Sequence, residues 1–326
     1  MKIRFSFLIA LFLLSAQLGV SQNQTLKKVN FLQMWISQPQ FAGYYMAKEK
    51  GFYKKYGLDV NIISGGYKKD VPTFLKNGKT DFGIMYLSSA IKERAEGTPL
   101  VNIGQIFQRS EIMFVAKKKS GIKSIHDFIG KKIAVWRTVL PELTIGFLDK
   151  HNIKADVIRI NEGVNIFLKD AVDICAVMHY NEYDNLINFG MNPDELSVFY
   201  FRDYGMNFLE DGIYCIENTY NKDPELCKNF VTASIEGWDY AISHPEESLK
   251  IVKKYQNQDK VIDNKAHSMW MLNSMKDIIM PPRKNIKKGE LLESDYNNTI
   301  QFLIKNKAIN TIPEFSKFYR GAIKND

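Results

Sequence analysis

Cysteine, histidine and proline are scarce in this chain of 326 residues, which contains 3, 5 and 10 of them. The cysteines lie far apart without a CxxC pair, which excludes a disulfide-dense miniprotein and gives no sign of a cysteine-based site. Cys215 and Cys227 could pair in an exported protein, although buried free thiols fit their apolar neighbours at least as well. The five histidines include no i, i+4 pair, so we expect no metal site.

Apolar runs long enough to span a membrane are also missing. The longest run, residues 5–14, follows Lys2 and Arg4 and precedes small and polar residues. Ten residues of helix reach only about 15 Å, half of the roughly 30 Å hydrocarbon core of a bilayer. This pattern predicts a secretory signal peptide, residues 1–21, with an N-terminal membrane anchor as the less favoured alternative. No cysteine follows the run to carry a lipid, so we expect a periplasmic or secreted protein.

Catalytic motifs and blocks of like charge are lacking as well. The sequence contains no GxGxxG, GxxxxGK(S/T), GxSxG or HExxH motif. The formal net charge is +8, but the basic residues are interspersed with acidic ones. The one dense run, Lys117-Lys118-Lys119, is more typical of a solvated strand end than of a nucleic-acid surface. We therefore expect no nucleic-acid partner, and a monomer.

The residues that are present indicate a globular α/β protein. Apolar residues make up 45% of the chain and aromatic residues 13%, enough for a large core with rings left over for a pocket. Strand and helix patterns alternate over residues 28–106 and again over residues 111–217, which predicts parallel sheets with helices on both faces. Long amphipathic helical stretches follow residue 221, with Pro281-Pro282 as the main break.

The two rounds of alternation predict two lobes followed by a helical C-terminal segment. Lobe 1 is expected to comprise residues 22–108 and 212–326, and lobe 2 residues 109–211. The chain would cross between the lobes near residues 106–111 and 203–212. Two such crossings would form a hinge on which the lobes close.

An internal repeat supports two related lobes. A helix, an acidic turn, a buried strand and a polar helix start recur in the same order, and the two strands end at Met85-Tyr86 and Met178-His179-Tyr180. Ligands of open α/β sheets bind beyond the carboxyl ends of the strands, near helix N-termini. We therefore expect a ligand cleft between these two strand ends.

The opening block of residues 35–47, WISQPQFAGYYMA, continues into KEKGFY and then YGLDV. It closely resembles the thiamine-pyrimidine family of periplasmic substrate-binding proteins, and weaker matches continue in order as far as residue 243. That family includes ABC-transporter receptors for formylaminopyrimidine and the thiamine-pyrimidine synthase. The resemblance implies the two-lobed type 2 periplasmic-binding-protein fold, with mixed sheets flanked by helices. It also implies a small-molecule ligand and a membrane permease as partners, or alternatively a signalling partner for a ligand sensor.

The synthase alternative depends on pyridoxal phosphate and iron, held by a lysine, a histidine and a cysteine cluster. Aligned on residues 78–83, GKTDFG, the lysine position falls on Met85 and the histidine position on Ser89. Residues 204–212 stand where the cysteine cluster belongs, and Cys215 alone could not hold iron. The sequence therefore predicts a binding protein without a cofactor and without enzymatic activity.

Candidate ligand-binding residues lie at or next to predicted strand ends and helix starts, and core packing or capping is the alternative for each. Aromatic faces would stack on a planar ligand, polar groups would bind its edge, and Gly66 would let the backbone approach it. The candidates are Trp35, Gln38, Gln40, Tyr44, Gly66, Tyr86, Ser88, Ser89, Trp136, Asn181, Glu182 and Tyr204.

The expected ligand is a flat, amine-bearing heterocycle of thiamine-precursor type, such as formylaminopyrimidine. The resemblance implies first ligand contacts at Trp35 and Tyr44, which would stack on the ring. Glu182 would accept hydrogen bonds from an exocyclic amine, and a carboxylate there would repel sulfonate, nitrate or bicarbonate. His179 is equally compatible with the pocket and with the core, and Arg137 could instead pair with an anionic group of the ligand.

Overall fold

The computed structural model describes residues 25–138, 140–281 and 286–321. The expected signal peptide, residues 1–21, lies outside the described residues. Two five-stranded sheets flanked by helices form two lobes, here called the first and the second lobe after their sheets. Among the described residues, no helix combines the length and apolar character needed to cross a membrane.

The first sheet contains β1 (Lys27–Leu32), β2 (Leu58–Ile63), β3 (Phe82–Tyr86), β4 (Leu100–Gln105) and β10 (Asp211–Ile216). The spatial order of these strands is β2-β1-β3-β10-β4. β1 pairs in parallel with β2 and β3, whereas β10 runs antiparallel to β3 and β4.

The second sheet contains β5 (Ile112–Lys117), β6 (Lys132–Trp136), β7 (Asp156–Ile160), β8 (Ile174–Met178) and β9 (Leu196–Tyr200). Their order is β7-β6-β8-β5-β9, in which β5 runs antiparallel to its neighbours β8 and β9. The parallel sheets predicted from alternation are therefore wrong for β5 and β10, and the mixed sheets implied by the resemblance are confirmed. Each of these two strands enters directly from the other lobe, without the crossover helix that a parallel connection needs.

Helices cover both sheets and form most of the C-terminal segment. The first lobe has α1 (Ala42–Glu49), α2 (Phe52–Lys55), α3 (Val71–Lys76) and α4 (Leu87–Ala95). The second lobe has α5 (Pro141–Lys150), α6 (Asn165–Leu168) and α7 (Asp184–Asn188). The C-terminal helices are α8 (Glu217–Lys222), α9 (Pro224–Ser243), α10 (Pro245–Gln258), α11 (Lys265–Ile279), α12 (Glu293–Lys305) and α13 (Phe315–Phe318).

Shorter helical turns connect these elements. The 3-10 turns are Pro39–Phe41, Lys118–Ser120, Ile125–Phe128, Pro193–Glu195 and Phe201–Tyr204, and a π-helix spans His179–Tyr183. The lysine run predicted at a strand end lies where β5 ends, and Lys117 and Lys119 both pair with Asp170, at 2.5 and 3.2 Å.

α9 illustrates how local sequence sets a helix and how packing places it. The carboxylate of Asp223 caps the helix by accepting from the Leu226 N–H at 3.0 Å, and Pro224 occupies the first turn. α9 then packs on α1 at backbone contact distance, because a Cβ on Gly237 would lie 2.1 Å from the carbonyl oxygen of Gly43. The close packing of the two helices therefore requires glycine at Gly43 on α1 and at Gly237 on α9. The ring of Trp238 is buried in the core directly against Gly43.

The two chain crossings run side by side between the lobes. The carbonyl oxygen of Asp211 accepts from Ile106 N–H at 3.1 Å and from Phe107 N–H at 2.9 Å. The carboxylate of Glu210 accepts from Glu111 N–H at 2.6 Å. The lobe limits expected from the sequence stay a prediction, and in the structure Asp211 already belongs to the first sheet.

The cysteines lie in the interior. Cys175, Cys215 and Cys227 are all buried free thiols, and Cys215 and Cys227 interact with one another. Burial raises the pKa of Cys175, which keeps this thiol in its neutral form.

Candidate ligand-binding site

A cleft of about 410 Å³ lies between the two lobes, at the carboxyl ends of strands from both sheets. Met34 and Trp35 follow β1 and Tyr86 ends β3 on one side, while Trp136 ends β6 and Met178 ends β8 on the other. The two strand ends paired by the internal sequence repeat, β3 and β8, therefore face the same cleft, as the general rule for α/β sheets predicts.

Aromatic rings form much of the cleft wall. The rings of Trp35 and Tyr67 meet edge to face, with their centroids 4.7 Å apart. Trp136 and Tyr180 line the cleft from the second lobe, and Tyr86 lines it from the first. Faces of this kind stack on flat ligands, and the polar tips of the tyrosines remain able to form hydrogen bonds.

Tyr67 also connects the two lobes across the cleft. It follows the Gly65-Gly66 turn after β2, and its hydroxyl donates to the carbonyl oxygen of Asn161 at 3.1 Å. Asn161 directly follows β7 of the second lobe. The lobes thus lie close enough together for a side chain of one to contact the backbone of the other.

The carboxylate of Glu182 is held by its own turn at the end of β8. The π-helix His179–Tyr183 follows β8 and brings Glu182 back toward the strand. Its Oε2 accepts from Met178 N–H at 2.9 Å, and its Oε1 accepts from Asn181 Nδ2 at 3.1 Å. Burial raises the pKa of this carboxyl above its usual range, and the charge of Glu162 adds to the rise. Each oxygen retains lone-pair capacity, so Glu182 can accept further hydrogen bonds from a ligand.

A chain of three side chains leads from the crossing to the cleft. Gln38 Nε2 donates to Gln40 Oε1 at 2.6 Å, and Gln40 Nε2 donates to Asp211 Oδ2 at 2.8 Å. Both glutamines line the cleft, whereas Asp211 is buried behind them. Burial raises the pKa of Asp211 to about 7, and its hydrogen bond from Gln40 acts in the opposite direction.

A second set of carboxylates lies in the crossings themselves. Arg109 Nε and Arg202 Nη1 both approach Glu111 Oε1, at 2.5 and 3.1 Å. Glu210 is fully buried beside them, and burial raises its pKa to about 8. In the hinge, the carboxylate of Glu111 is therefore compensated by two guanidinium groups. The carboxylates of Glu210 and Asp211, in contrast, have no arginine or lysine at contact distance among the described residues.

The electrostatic character of the cleft is negative. Glu162 and Glu182 are the carboxylates among the described lining residues, and these lining residues include no lysine or arginine. Burial raises the pKa of Tyr86 and of Tyr180, and the neighbouring carboxylates of Asp211, Glu210 and Glu182 raise them further. A cleft of this kind favours a cationic or amine-bearing ligand over an anion.

Seven of the candidate residues line this cleft together. They are Trp35, Gln38, Gln40, Tyr86, Trp136, Asn181 and Glu182. Gly66 and Ser89 line an adjoining groove of about 240 Å³, which shares Trp35, Tyr67 and Tyr86 with the cleft.

Tyr44, Ser88 and Tyr204 do not line the cleft. Tyr44 lies on the face of α1 turned toward the sheet, where its ring packs between Phe31 and Trp238 with 1% of its surface exposed. The side chain of Ser88 is buried in the first turn of α4. 

The ring of Tyr204 packs against Phe147 and His151 within the second lobe, because the Phe201–Tyr204 turn follows β9 along its core side. His179 does not line the cleft either. Its Nδ1 lies 2.8 Å from the Tyr200 hydroxyl, and burial lowers its pKa to about 4, so the ring is neutral near pH 7.

Several residues that line the cleft were not predicted from the sequence. Tyr67 follows the turn after β2, and Asn161-Glu162-Gly163 follow β7 at the same edge of the sheet. The rule that ligands bind at the carboxyl ends of strands, applied to every strand, would have indicated both segments.

Comparison with known proteins identifies the family to which the chain belongs. A family model described as "NMT1/THI5 like" matches residues 38–248, which include both halves of the cleft. The chain belongs to the NMT1/THI5-like family. The family resemblance expected from the sequence is thereby confirmed.

The relatives of this chain are named for different roles. A thiamine biosynthesis protein, so named, of Haemophilus influenzae is 22% identical over 234 residues, covering 71% of this chain and 74% of that protein. The riboflavin-binding protein RibY of Chloroflexus aurantiacus is 26% identical over 238 residues, covering 70% and 66%. The 4-amino-5-hydroxymethyl-2-methylpyrimidine phosphate synthase of Legionella pneumophila is 22% identical over 230 residues, covering 69% and 72%.

Solved structures show the same fold. The periplasmic aliphatic sulphonate-binding protein SsuA of Escherichia coli superimposes with a TM-score of 0.70 at 14% identity, covering 92% of this chain and 94% of that one. At this identity the likeness concerns the fold, that of periplasmic binding proteins, and not the ligand.

Proposed function

We propose that this chain is an extracytoplasmic solute-binding protein that encloses a small, flat, amine-bearing heterocycle between its two lobes. The observation that carries the proposal is the composition of the cleft. It combines the faces of Trp35, Tyr67 and Trp136 with the carboxylate of Glu182, and its described lining residues include no lysine or arginine.

The polar groups of the cleft suit the edge of an aminopyrimidine. Glu182 offers oxygens to an exocyclic amine or a protonated ring nitrogen, and Gln38, Gln40 and Asn181 add amide donors and acceptors. Glu182 already accepts one hydrogen bond at each oxygen, from Met178 N–H and Asn181 Nδ2, and a ligand amine would add a further one to this charged acceptor. We therefore expect the amine to be the part of the ligand that matters most. Formylaminopyrimidine, a thiamine precursor, is the proposed ligand within this class.

An anionic ligand fits this cleft poorly, although SsuA shares the fold. A sulfonate needs several donors converging on its oxygens, and here it would meet the carboxylates of Glu162 and Glu182. The negative charge of the lining residues therefore supports a ligand other than an aliphatic sulfonate, the ligand for which SsuA is named.

The transport role rests on the fold of the structural neighbours and on the N-terminal sequence. Similar chains include a ligand-binding component of an ABC-type import system from Staphylococcus aureus. A signal peptide at residues 1–21 would direct the chain to the periplasm or the exterior, where closure on the ligand would present a surface to a membrane permease. A permease and an ATPase encoded beside this chain would support transport, whereas a kinase would support ligand sensing.

The synthase named among the relatives is the second candidate function, and the residues do not fit its cofactors. Met85, at the position of the cofactor lysine, is a buried thioether that cannot form a Schiff base with pyridoxal phosphate. Ser89 stands at the position of the histidine. Cys215 and Cys227 are buried in the core of the first lobe, where they cannot form an accessible cysteine cluster for iron.

The test is to identify what the purified protein binds. Mass spectrometry of small molecules released by denaturation would come first, followed by thermal unfolding with formylaminopyrimidine, riboflavin and taurine. A ligand at 100 times its Kd stabilises the folded state by about 2.7 kcal/mol, an easily measured shift. We expect stabilisation by formylaminopyrimidine and none by taurine. Stabilisation by taurine would contradict the proposal, as would turnover with pyridoxal phosphate and iron.

A further inference from the structure

Three side chains form a continuous hydrogen-bonded row from the hinge to the cleft, here called the amide row. It consists of Asp211, Gln40 and Gln38, with nitrogen-to-oxygen distances of 2.8 and 2.6 Å. Asp211 is the first residue of β10, and its backbone carbonyl is bonded to the other crossing. All three side chains are buried or nearly so, with 1%, 3% and 9% of their surfaces exposed.

The direction of every bond in the amide row follows from its buried end. An ionised carboxylate only accepts hydrogen bonds, so Gln40 turns its NH₂ group toward Asp211. The carbonyl oxygen of Gln40 then faces Gln38 and accepts from its NH₂ group. Gln38 thereby uses one of its two N–H donors within the row, which leaves its carbonyl oxygen and its second N–H unused there. Without the carboxylate, either amide could be turned over at little cost, since O and NH₂ have the same shape.

We propose that Asp211 is a positioning residue that acts through Gln40 to fix the Gln38 amide, so that the cleft selects a ligand with an N–H donor. This inference rests on the proposed function for its ligand, but the orientation of the row does not depend on any ligand. Protonation of Asp211 on Oδ2, the oxygen that Gln40 contacts, would reverse the row. The carboxylic acid could donate to Gln40 Oε1, Gln40 could donate to Gln38 Oε1, and Gln38 would then offer N–H groups in place of its oxygen.

The surroundings of Asp211 place this reversal near neutral pH. Burial raises the pKa of Asp211 to about 7. The carboxyl of Glu210 is adjacent, and Glu111 lies beyond it with its guanidinium partners Arg109 and Arg202. The hydroxyl-bearing rings that interact with the charge of Asp211 are Tyr44 on α1, Tyr86 on β3, Tyr180 in the π-helix and Tyr214 on β10. Each of these tyrosines has a raised pKa and stays neutral around pH 7. Among the described neighbours, Glu210 is therefore the group whose pKa, about 8, lies nearest to that of Asp211.

The test compares Asp211→Asn with the matched control Glu210→Gln. Both changes remove one buried carboxylate from the same crossing, but only Asp211 contacts Gln40. Nuclear magnetic resonance of the side-chain NH₂ groups of Gln38 and Gln40 reads the row directly, without ligand. In the unmodified protein and in Glu210→Gln we expect both signals to titrate between pH 6 and pH 8. In Asp211→Asn we expect no such titration. Signals that do not titrate in the unmodified protein, or that titrate equally in Asp211→Asn, would overturn the proposal.

A binding measurement provides the second readout. At pH 8 we expect Asp211→Asn to reduce the preference for formylaminopyrimidine over its analogue lacking the ring amine by about tenfold, the size of one good hydrogen bond. Glu210→Gln should leave this ratio within about twofold of the unmodified protein, and an equal loss in both variants would contradict the role of Asp211. If the unmodified protein binds neither compound, the proposed ligand is wrong, while the resonance titration still decides the orientation of the row.

Discussion

The indole nitrogen of Trp270 donates a hydrogen bond of 3.0 Å to the backbone carbonyl oxygen of His179. Trp270 lies on α11, whereas His179 begins the π-helix that holds Glu182 at the cleft. The Trp270 ring also packs 5.1 Å from the His179 ring, centroid to centroid. Because α11 contacts the Pro39–Phe41 turn of the first lobe as well, one C-terminal helix touches both sides of the site.

Trp270→Phe should therefore weaken ligand binding from outside the cleft. The substitution keeps an aromatic ring against His179 but removes the N–H donor, so the π-helix loses one of its fixed points. We expect affinity for formylaminopyrimidine to fall by about 0.5–1.5 kcal/mol, measured by isothermal titration calorimetry. Ser274→Ala, which removes a hydrogen bond within α11, is the control and should bind as the unmodified protein does.

Glu182→Gln should cause the largest loss of affinity among single changes in the cleft. The carboxylate would be replaced by a neutral amide of the same shape, and a charge-assisted hydrogen bond of about 1.5–3 kcal/mol would be lost. Glu162→Gln is the control, because it also removes one negative charge from the cleft lining but leaves Glu182, at the end of β8, unchanged. Calorimetry should show a smaller loss of affinity for this variant. Equal affinities for Glu182→Gln and the unmodified protein would count against an amine-bearing ligand.

Trp35→Ala and Tyr44→Ala should separate binding from folding. Trp35 lines the cleft, so its loss should abolish stacking while the thermal unfolding midpoint changes little. Tyr44 is buried in the core, and its removal leaves a cavity beside Phe31 and Trp238 that should destabilise the fold by about 3–5 kcal/mol. Denaturant unfolding together with calorimetry measures both effects. A Trp35→Ala protein that unfolds as readily as Tyr44→Ala would place Trp35 in the core instead.

Gly237→Ala should destabilise the protein without altering the chemistry of the cleft. The added methyl group would lie 2.1 Å from the Gly43 carbonyl oxygen and 2.7 Å from the Ala47 side chain, so α1 and α9 would have to separate. Overpacking of this kind costs about 1–3 kcal/mol, which urea unfolding would detect. Gly51→Ala, at a position with no atoms nearby, controls for the loss of glycine itself, although its positive φ of 77° adds a strain of its own. Unchanged stability of Gly237→Ala would mean that the two helices are not in backbone contact.

Stability should decrease as the pH rises from 5 to 8.5. The pKa of Glu210 is about 8 in the folded chain, against about 4.3 for an unfolded glutamate, so the folded state holds an extra proton in this interval. Because the folded state binds more protons, raising the pH favours unfolding, and Glu210 alone contributes on the order of 4 kcal/mol over the whole interval. Urea unfolding at several pH values measures this slope. Glu210→Gln should make the fall smaller but not abolish it, because Asp211, with a pKa of about 7, contributes in the same direction. An equally steep fall in Glu210→Gln would assign the whole effect to Asp211 and other groups.

The strand ends of the site could be predicted from the sequence because they follow local rules. Apolar runs followed by polar residues located Trp35, Tyr86 and Glu182, and all three line the cleft. The position of Tyr44 could not be predicted in this way. It lies three residues beyond the 3-10 turn, and its orientation depends on the contact of Gly43 with α9, which is about 190 residues away in sequence.

The hinge was harder to predict than the lobes. The reversal of β5 and β10 depends on where the chain crosses, and the alternation pattern carries no information on that point. The burial of Glu210 and Asp211 was likewise not evident, since acidic residues in a connection are usually solvated. Tyr67 follows β2 and could have been indicated by the strand-end rule, but its contact with Asn161 could not, because that contact depends on the second lobe lying opposite it.

The bond between the Tyr67 hydroxyl and the Asn161 carbonyl oxygen has a kinetic consequence. Any motion that separates the lobes must break this contact before the cleft opens. The side chain itself is 55% exposed, so water can replace Asn161 as its partner at little thermodynamic cost. The residence time of a bound solute would then depend on how often this bond opens, while the equilibrium affinity would be set by the groups deeper in the cleft.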